Sequence, residues 1–137
     1  MRNKEFQTGK IGVDFVVAPD GSEIRLLHEL GKGGLSECTL PENSVSAAIC
    51  HRSIEEIWLF VQGTGRLWRS QNGKEEITKV FPGVSVTIPK GKHFQFRNDD
   101  TKPLKFVIST MPPWPGSDEA YLVRGKWQAT VDTHLEK

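Results

Sequence analysis

The residues best suited to chemistry lie in one stretch, ICHRSIEEIWLFVQGTG, from Ile49 to Gly65. His51 and Glu56 stand five positions apart, and an aromatic-rich run follows before a glycine turn. A histidine facing a carboxylate can act as a general base, with the carboxylate orienting it. The same two side chains can also ligate a divalent metal such as Fe, Mn, Ni or Zn. Two ligands fall short, because catalytic zinc sites usually use three protein ligands plus water and non-haem iron sites use two histidines and a carboxylate. His93 is the candidate for the third place. A plainer reading makes His51 a buried histidine hydrogen-bonded to a backbone carbonyl or to Glu56. Cys50, next to His51, invites a nucleophile reading, but a small buried strand residue is the better account of it. Neither Cys38 nor Cys50 belongs to a CxxC pair, and a reducing compartment argues against a disulfide.

The elements that must position these residues read as short strands separated by turns. SEIRLLHEL follows the Pro19–Gly21 turn signal, GKGG breaks it, and LSECTL runs up to the next turn at PEN. SVSAAICH is rich in small and β-branched residues and reads as a strand, and EEIWLFVQ is the clearest strand of all. RLWR and EEITKV flank Asn72-Gly73, a pair that favours a tight hairpin. VSVTI, HFQFRN and LKFVIST complete a series whose spacing predicts an all-β sandwich or barrel. MPPWPGSDEA cannot form a central strand, because its prolines remove ladder donors, so an extended arm lying on the body is expected from residue 111 onward. VDTHLEK is expected to close the chain as a short helix.

Two spaced motifs within this series resemble those of the cupins. His51, four intervening residues, Glu56, six more and then Gly63 match the second half of the first cupin motif. Gly83, Pro89, Gly91 and Asn98 match the second motif in register. The resemblance implies one domain over residues 1–137, a jelly-roll barrel of a double-stranded β-helix type spanning roughly 11–110, with the proline-rich arm beyond it. Two positions depart from the pattern. The resemblance places metal-binding histidines at positions 49 and 94, where this chain has Ile49 and Phe94.

Strand alternation turns the motifs into geometry, since successive side chains point to opposite faces. With Glu56 inward, Trp58 and Phe60 are inward too; Ile49 shares the inward face with His51, and Phe94 with Phe96. The expected pocket is then Ile49, Trp58, Phe60, Phe94 and Phe96 around His51 and Glu56, with His93, Gln95 and Arg97 pointing away. His93 joins the site only if the PKGKHF turn tilts it inward. Four aromatic rings suit a small, largely apolar or ring-shaped ligand, or they simply fill the barrel. Arg66 and Arg69 are candidates for an anionic group or ordinary surface cations. Trp114, in the stiff PPWPG segment, is placed to cover a barrel mouth or to dock on a second subunit.

Bulk properties narrow the function classes. The 137 residues suit one domain, and 36% hydrophobic with 26% charged residues is ordinary globular composition. Net charge is +1 with no lysine/arginine block, so no nucleic-acid footprint is present. The start has no apolar core of a signal peptide and no run is long enough for a bilayer, so a cytoplasmic location without membrane contact is expected. Three functions remain open. The first is a small-molecule binding protein with a degenerate metal site. The second is a metal-dependent oxygenase or lyase using His51, Glu56 and His93. The third is a metal-free isomerase with His51 as base. A homodimer is expected, because open barrels leave strand edges that need cover.

Overall fold

The structure is a computed structural model and describes residues 5–131. Eleven strands form it: β1 (Val16–Val17), β2 (Glu23–Leu30), β3 (Gly33–Leu40), β4 (Ile49–His51), β5 (Glu55–Gln62), β6 (Gly65–Gln71), β7 (Lys74–Val80), β8 (Ser85–Ile88), β9 (His93–Asn98), β10 (Leu104–Met111) and β11 (Ala120–Leu122). They build two sheets, ordered β1-β2-β3-β10-β5-β8 and β11-β4-β9-β6-β7, with antiparallel pairing throughout. The chain crosses between the sheets repeatedly, which makes a jelly roll. Among the described residues, no helix is long and apolar enough to cross a membrane.

Alternation is cleanest in β5, where Glu56, Trp58 and Phe60 are buried and Glu55, Ile57, Leu59 and Val61 are exposed. Trp58 stacks on Phe106 at 4.4 Å, and Phe60 and Phe96 pack against the same ring at 4.7 and 5.2 Å. This aromatic centre ties β5, β9 and β10 together across both sheets. The Asn72-Gly73 turn joins β6 to β7 with φ of 52° and 79°, the two left-handed residues a type I′ hairpin needs. Gly63 ends β5 at φ 83°, and a Cβ there would stand 2.8 Å from the Pro103 carbonyl oxygen, so this turn takes only glycine.

Three expectations about elements change. SVSAAICH is a strand only over Ile49–His51; before it, Val45 makes a lone bridge to Arg97, and Ser46 and Ala47 give their N–H groups to Phe96 and Asp20 carbonyls instead of a ladder. GKGG does break the strand, but only at residues 31–32: Gly33 and Gly34 already start β3, pairing with β2 and β10. The segment after β10 is more than an arm lying on the body, because β11 pairs with β4 and extends the second sheet. The terminal helix expected in VDTHLEK concerns residues 132–137, which lie outside the described residues.

The asparagine of the second motif, Asn98, has a structural task. Its Nδ2 donates to the carbonyls of Leu40, Pro41 and Lys102, and its Oδ1 accepts from the Asp100 N–H. One buried amide therefore ties the turn after β3 to the turn between β9 and β10.

Candidate functional site

β4 and β5 bring His51 and Glu56 to the same inner face. His51 Nε2 lies 3.6 Å from Glu56 Oε1, and both side chains are buried. Both Glu56 oxygens also accept hydrogen bonds: Oε1 from Trp58 Nε1 at 2.9 Å and Oε2 from the Thr110 hydroxyl at 3.0 Å. Neutral donors on β5 and β10 thus hold the carboxylate in place. The His51 ring packs against Phe94 at 5.4 Å.

The other ring nitrogen of His51 faces a residue that strand parity did not single out. Nδ1 is buried without a hydrogen-bond partner, and Glu119 Oε2 stands 4.0 Å away. Glu119 comes from the 3-10 turn just before β11. Burial pushes its carboxyl up, but the Ser53 hydroxyl, the Ser53 and Ile54 N–H groups and the nearby His51 outweigh that and hold it below the usual carboxylate range. His51 therefore sits between two carboxylates, one opposite each ring nitrogen.

His51 and Glu56 line a cavity of about 60 Å³. Its deep wall is Ile49, Trp58, Phe94 and Phe106, all essentially buried, and its outer rim includes Val16, Leu26 and Trp114. Trp114 thus covers the mouth, one of the two roles its sequence context suggested. An outer shelf of about 250 Å³ shares Leu26, Ser36, Thr110 and Trp114 with the cavity. Asp20 also lines it, held by the turn that the Pro19–Gly21 signal marks; its Oδ1 accepts from the Ser22 N–H at 2.9 Å and the Ser22 hydroxyl at 2.5 Å. Burial raises the Asp20 carboxyl above its ordinary range despite those bonds. Cys38 lines the wall as well; burial, then the nearby Asp20, pushes its thiol far up, so it stays an inert SH group at neutral pH.

The other candidates fall elsewhere. Phe60 and Phe96 are buried among the core rings and do not line the cavity. His93 is not brought to His51 and Glu56: Phe94 takes the inward position, and His93 pairs with Cys50 and Ser70 on the opposite parity. Among the described residues, no three His, Cys, Asp or Glu side chains are grouped so that they could hold a metal ion. Gln95 points away from the cavity as parity requires, yet it is 1% exposed, because residues 125–127 cover it. Arg66 is paired with Asp99 at 2.8 Å and Arg69 with Glu76, so neither faces the cavity. Asp20 and Glu119 were the residues sequence reasoning missed. The turn signal located Asp20, but nothing local assigns Glu119.

Comparison with known proteins agrees with this architecture. The family described as "Cupin domain" matches residues 36–110, more than half of the chain. No curated protein matches the sequence. Among solved structures, the capsular polysaccharide assembling protein CapF from Staphylococcus aureus superposes with a TM-score of 0.69 at 15% identity, covering 85% of this chain and 34% of CapF. A W96F oxalate decarboxylase from B. subtilis gives 0.69 at 12% identity, over 87% of this chain and 34% of that one. The CENP-C domain of Drosophila melanogaster gives 0.60 at 15% identity, covering 66% and 67%. The chain spans about a third of the length of CapF and of the decarboxylase, and identities this low speak for the fold alone. With the two spaced motifs, the jelly roll and the family match together, the chain belongs to the cupins.

Proposed function

We propose that this cupin binds a small, largely apolar or ring-shaped molecule in its barrel cavity, with His51 and Glu56 as the polar end of the site. One observation carries the reading: the two positions where the motif would place histidines hold Ile49 and Phe94, and both line the cavity wall. The donor set does not fit a tightly held metal. His51 and Glu56 are two donors, both Glu56 oxygens already accept hydrogen bonds, and His93 lies away from them.

The cavity volume of about 60 Å³ is small beside the roughly 300–1,000 Å³ of drug-sized pockets. The ligand is then a molecule of few heavy atoms, or a head group that enters while the body rests on the Val16, Leu26 and Trp114 rim. Mass spectrometry of protein purified without a histidine tag, then denatured, tests this directly. The expected result is a stoichiometric small molecule that is lost from a Phe94→Lys variant. Stoichiometric iron, manganese, nickel or zinc that disappears in His51→Ala would overturn the reading in favour of a metal-dependent enzyme.

A second reading has an observation of its own. His51 between Glu56 and Glu119 has the make-up of a proton-transfer group, which suits a metal-free isomerase. Incubating the co-purified molecule with the protein in heavy water checks it. Deuterium incorporation that stops in His51→Gln supports catalysis, and none in the wild type removes it.

A further inference from the structure

Carboxyl groups outnumber basic side chains around the cavity. Asp20, Glu56 and His51 line it, Glu119 stands behind His51, and among the described residues no lysine or arginine lines the wall. Aromatic rings supply much of the rest: Trp58, Phe94 and Phe106 deep, Trp114 at the mouth. His51 Nδ1 is a buried polar atom with no hydrogen-bond partner. Carboxylates in a poorly hydrated cavity interact strongly with any charge placed beside them, and aromatic walls favour cations over anions. We infer that the ligand carries a basic nitrogen: a small apolar amine whose ammonium group enters toward Glu56 and Asp20 while its hydrocarbon body packs on the rings. This rests on the binding reading above and specifies the ligand's charge. An anionic ligand would meet two carboxyl groups, and the one basic side chain in the described lining, His51, already stands between Glu56 and Glu119.

Three near-isosteric probes separate the possibilities without any variant: benzylamine, benzyl alcohol and benzoate, titrated by calorimetry or ligand-observed NMR at pH 7. Benzylamine is expected to bind at least tenfold tighter than benzyl alcohol, with benzoate weakest. Glu56→Gln is expected to shrink the ratio between amine and alcohol. Equal binding of amine and alcohol, or tighter benzoate, would overturn the amine inference and leave a small-molecule site standing. Failure of all three to bind would count against the amine and against the binding reading together.

Discussion

Two regions converge on His51 by different routes. The motif strands β4 and β5 supply the histidine itself and Glu56, five positions apart, through simple alternation. The segment after β10 supplies Glu119 and Trp114 from far along the chain; Glu119 reaches Ser53 across 66 positions. The first region is held by its own ladder and by core rings. The second is held by its short pairing with β4, by Gln95, which clasps the backbone at Lys126 and Trp127, and by its own Glu119, which accepts from the Ser53 and Ile54 N–H groups. A site can thus have a rigid half encoded in local pattern and a second half added by docking. The docked half is the one that can be loosened without unfolding the barrel.

That contrast can be broken from either side. Trp58→Ala removes a ring stacked on Phe106 and leaves Glu56 Oε1 without its indole donor, so it should cost about 3–5 kcal/mol, the usual range for a large aromatic deleted from a core. Urea unfolding measures it, and a loss under about 1 kcal/mol would mean the motif half is not the rigid one.

Gln95→Ala acts on the docked half. Gln95 donates to the Ser46 and Trp127 carbonyls and accepts from the Lys126 and Trp127 N–H groups. A Cβ on Gly125 would come within 2.5 Å of its Oε1, so the backbone is packed tightly onto this amide. Loss of those bonds should cost about 2–3 kcal/mol. Limited proteolysis should then cut beyond residue 122 while the barrel survives; simultaneous loss of both would erase the distinction between the regions.

Glu119→Gln should destabilise by about 2 kcal/mol at pH 7, since two N–H groups and a hydroxyl donate to the carboxylate. The sign follows from its lowered proton affinity in the folded state. Its contribution is present above the ordinary glutamate value of 4.5 and fades as pH falls through the folded value, so wild type and variant should converge in acid. Asp20 runs the other way: its raised carboxyl stabilises most below 3.8 and loses that contribution as pH rises through its folded value. The deficit of Asp20→Asn relative to wild type should therefore shrink with rising pH, in denaturation curves from pH 3 to 7. The smallest effect is expected for Arg66→Ala, about 0.5 kcal/mol, because the Arg66–Asp99 pair is largely solvated.

The legibility of the site divides along the same line. The period-two pattern in EEIWLFVQ placed Glu56 and Trp58 inward, and the spacing of Gly83, Pro89, Gly91 and Asn98 marked β8 and β9. Parity alone put Phe60 and Phe96 in the pocket, whereas Phe106 and Trp58 screen them from the cavity. Parity also made Gln95 an outward polar residue, which it is, without revealing that residues 125–127 bury it. SVSAAICH looked like one strand because its composition suits β structure, but its backbone hydrogen bonds go to Asp20 and Phe96 carbonyls.

The sequence by itself determined the barrel, the inward faces of β4, β5 and β9, and the substitution of isoleucine and phenylalanine at two motif positions. All of these rest on alternation and turn chemistry, which act over a few residues. Only the tertiary structure decided that His93 stays outside, that Asp20 and Trp114 join the cavity, and that Glu119 stands opposite the second nitrogen of His51. Those outcomes depend on which distant segments pack together, and that choice is made by burial and backbone satisfaction across the whole molecule, not by any local pattern.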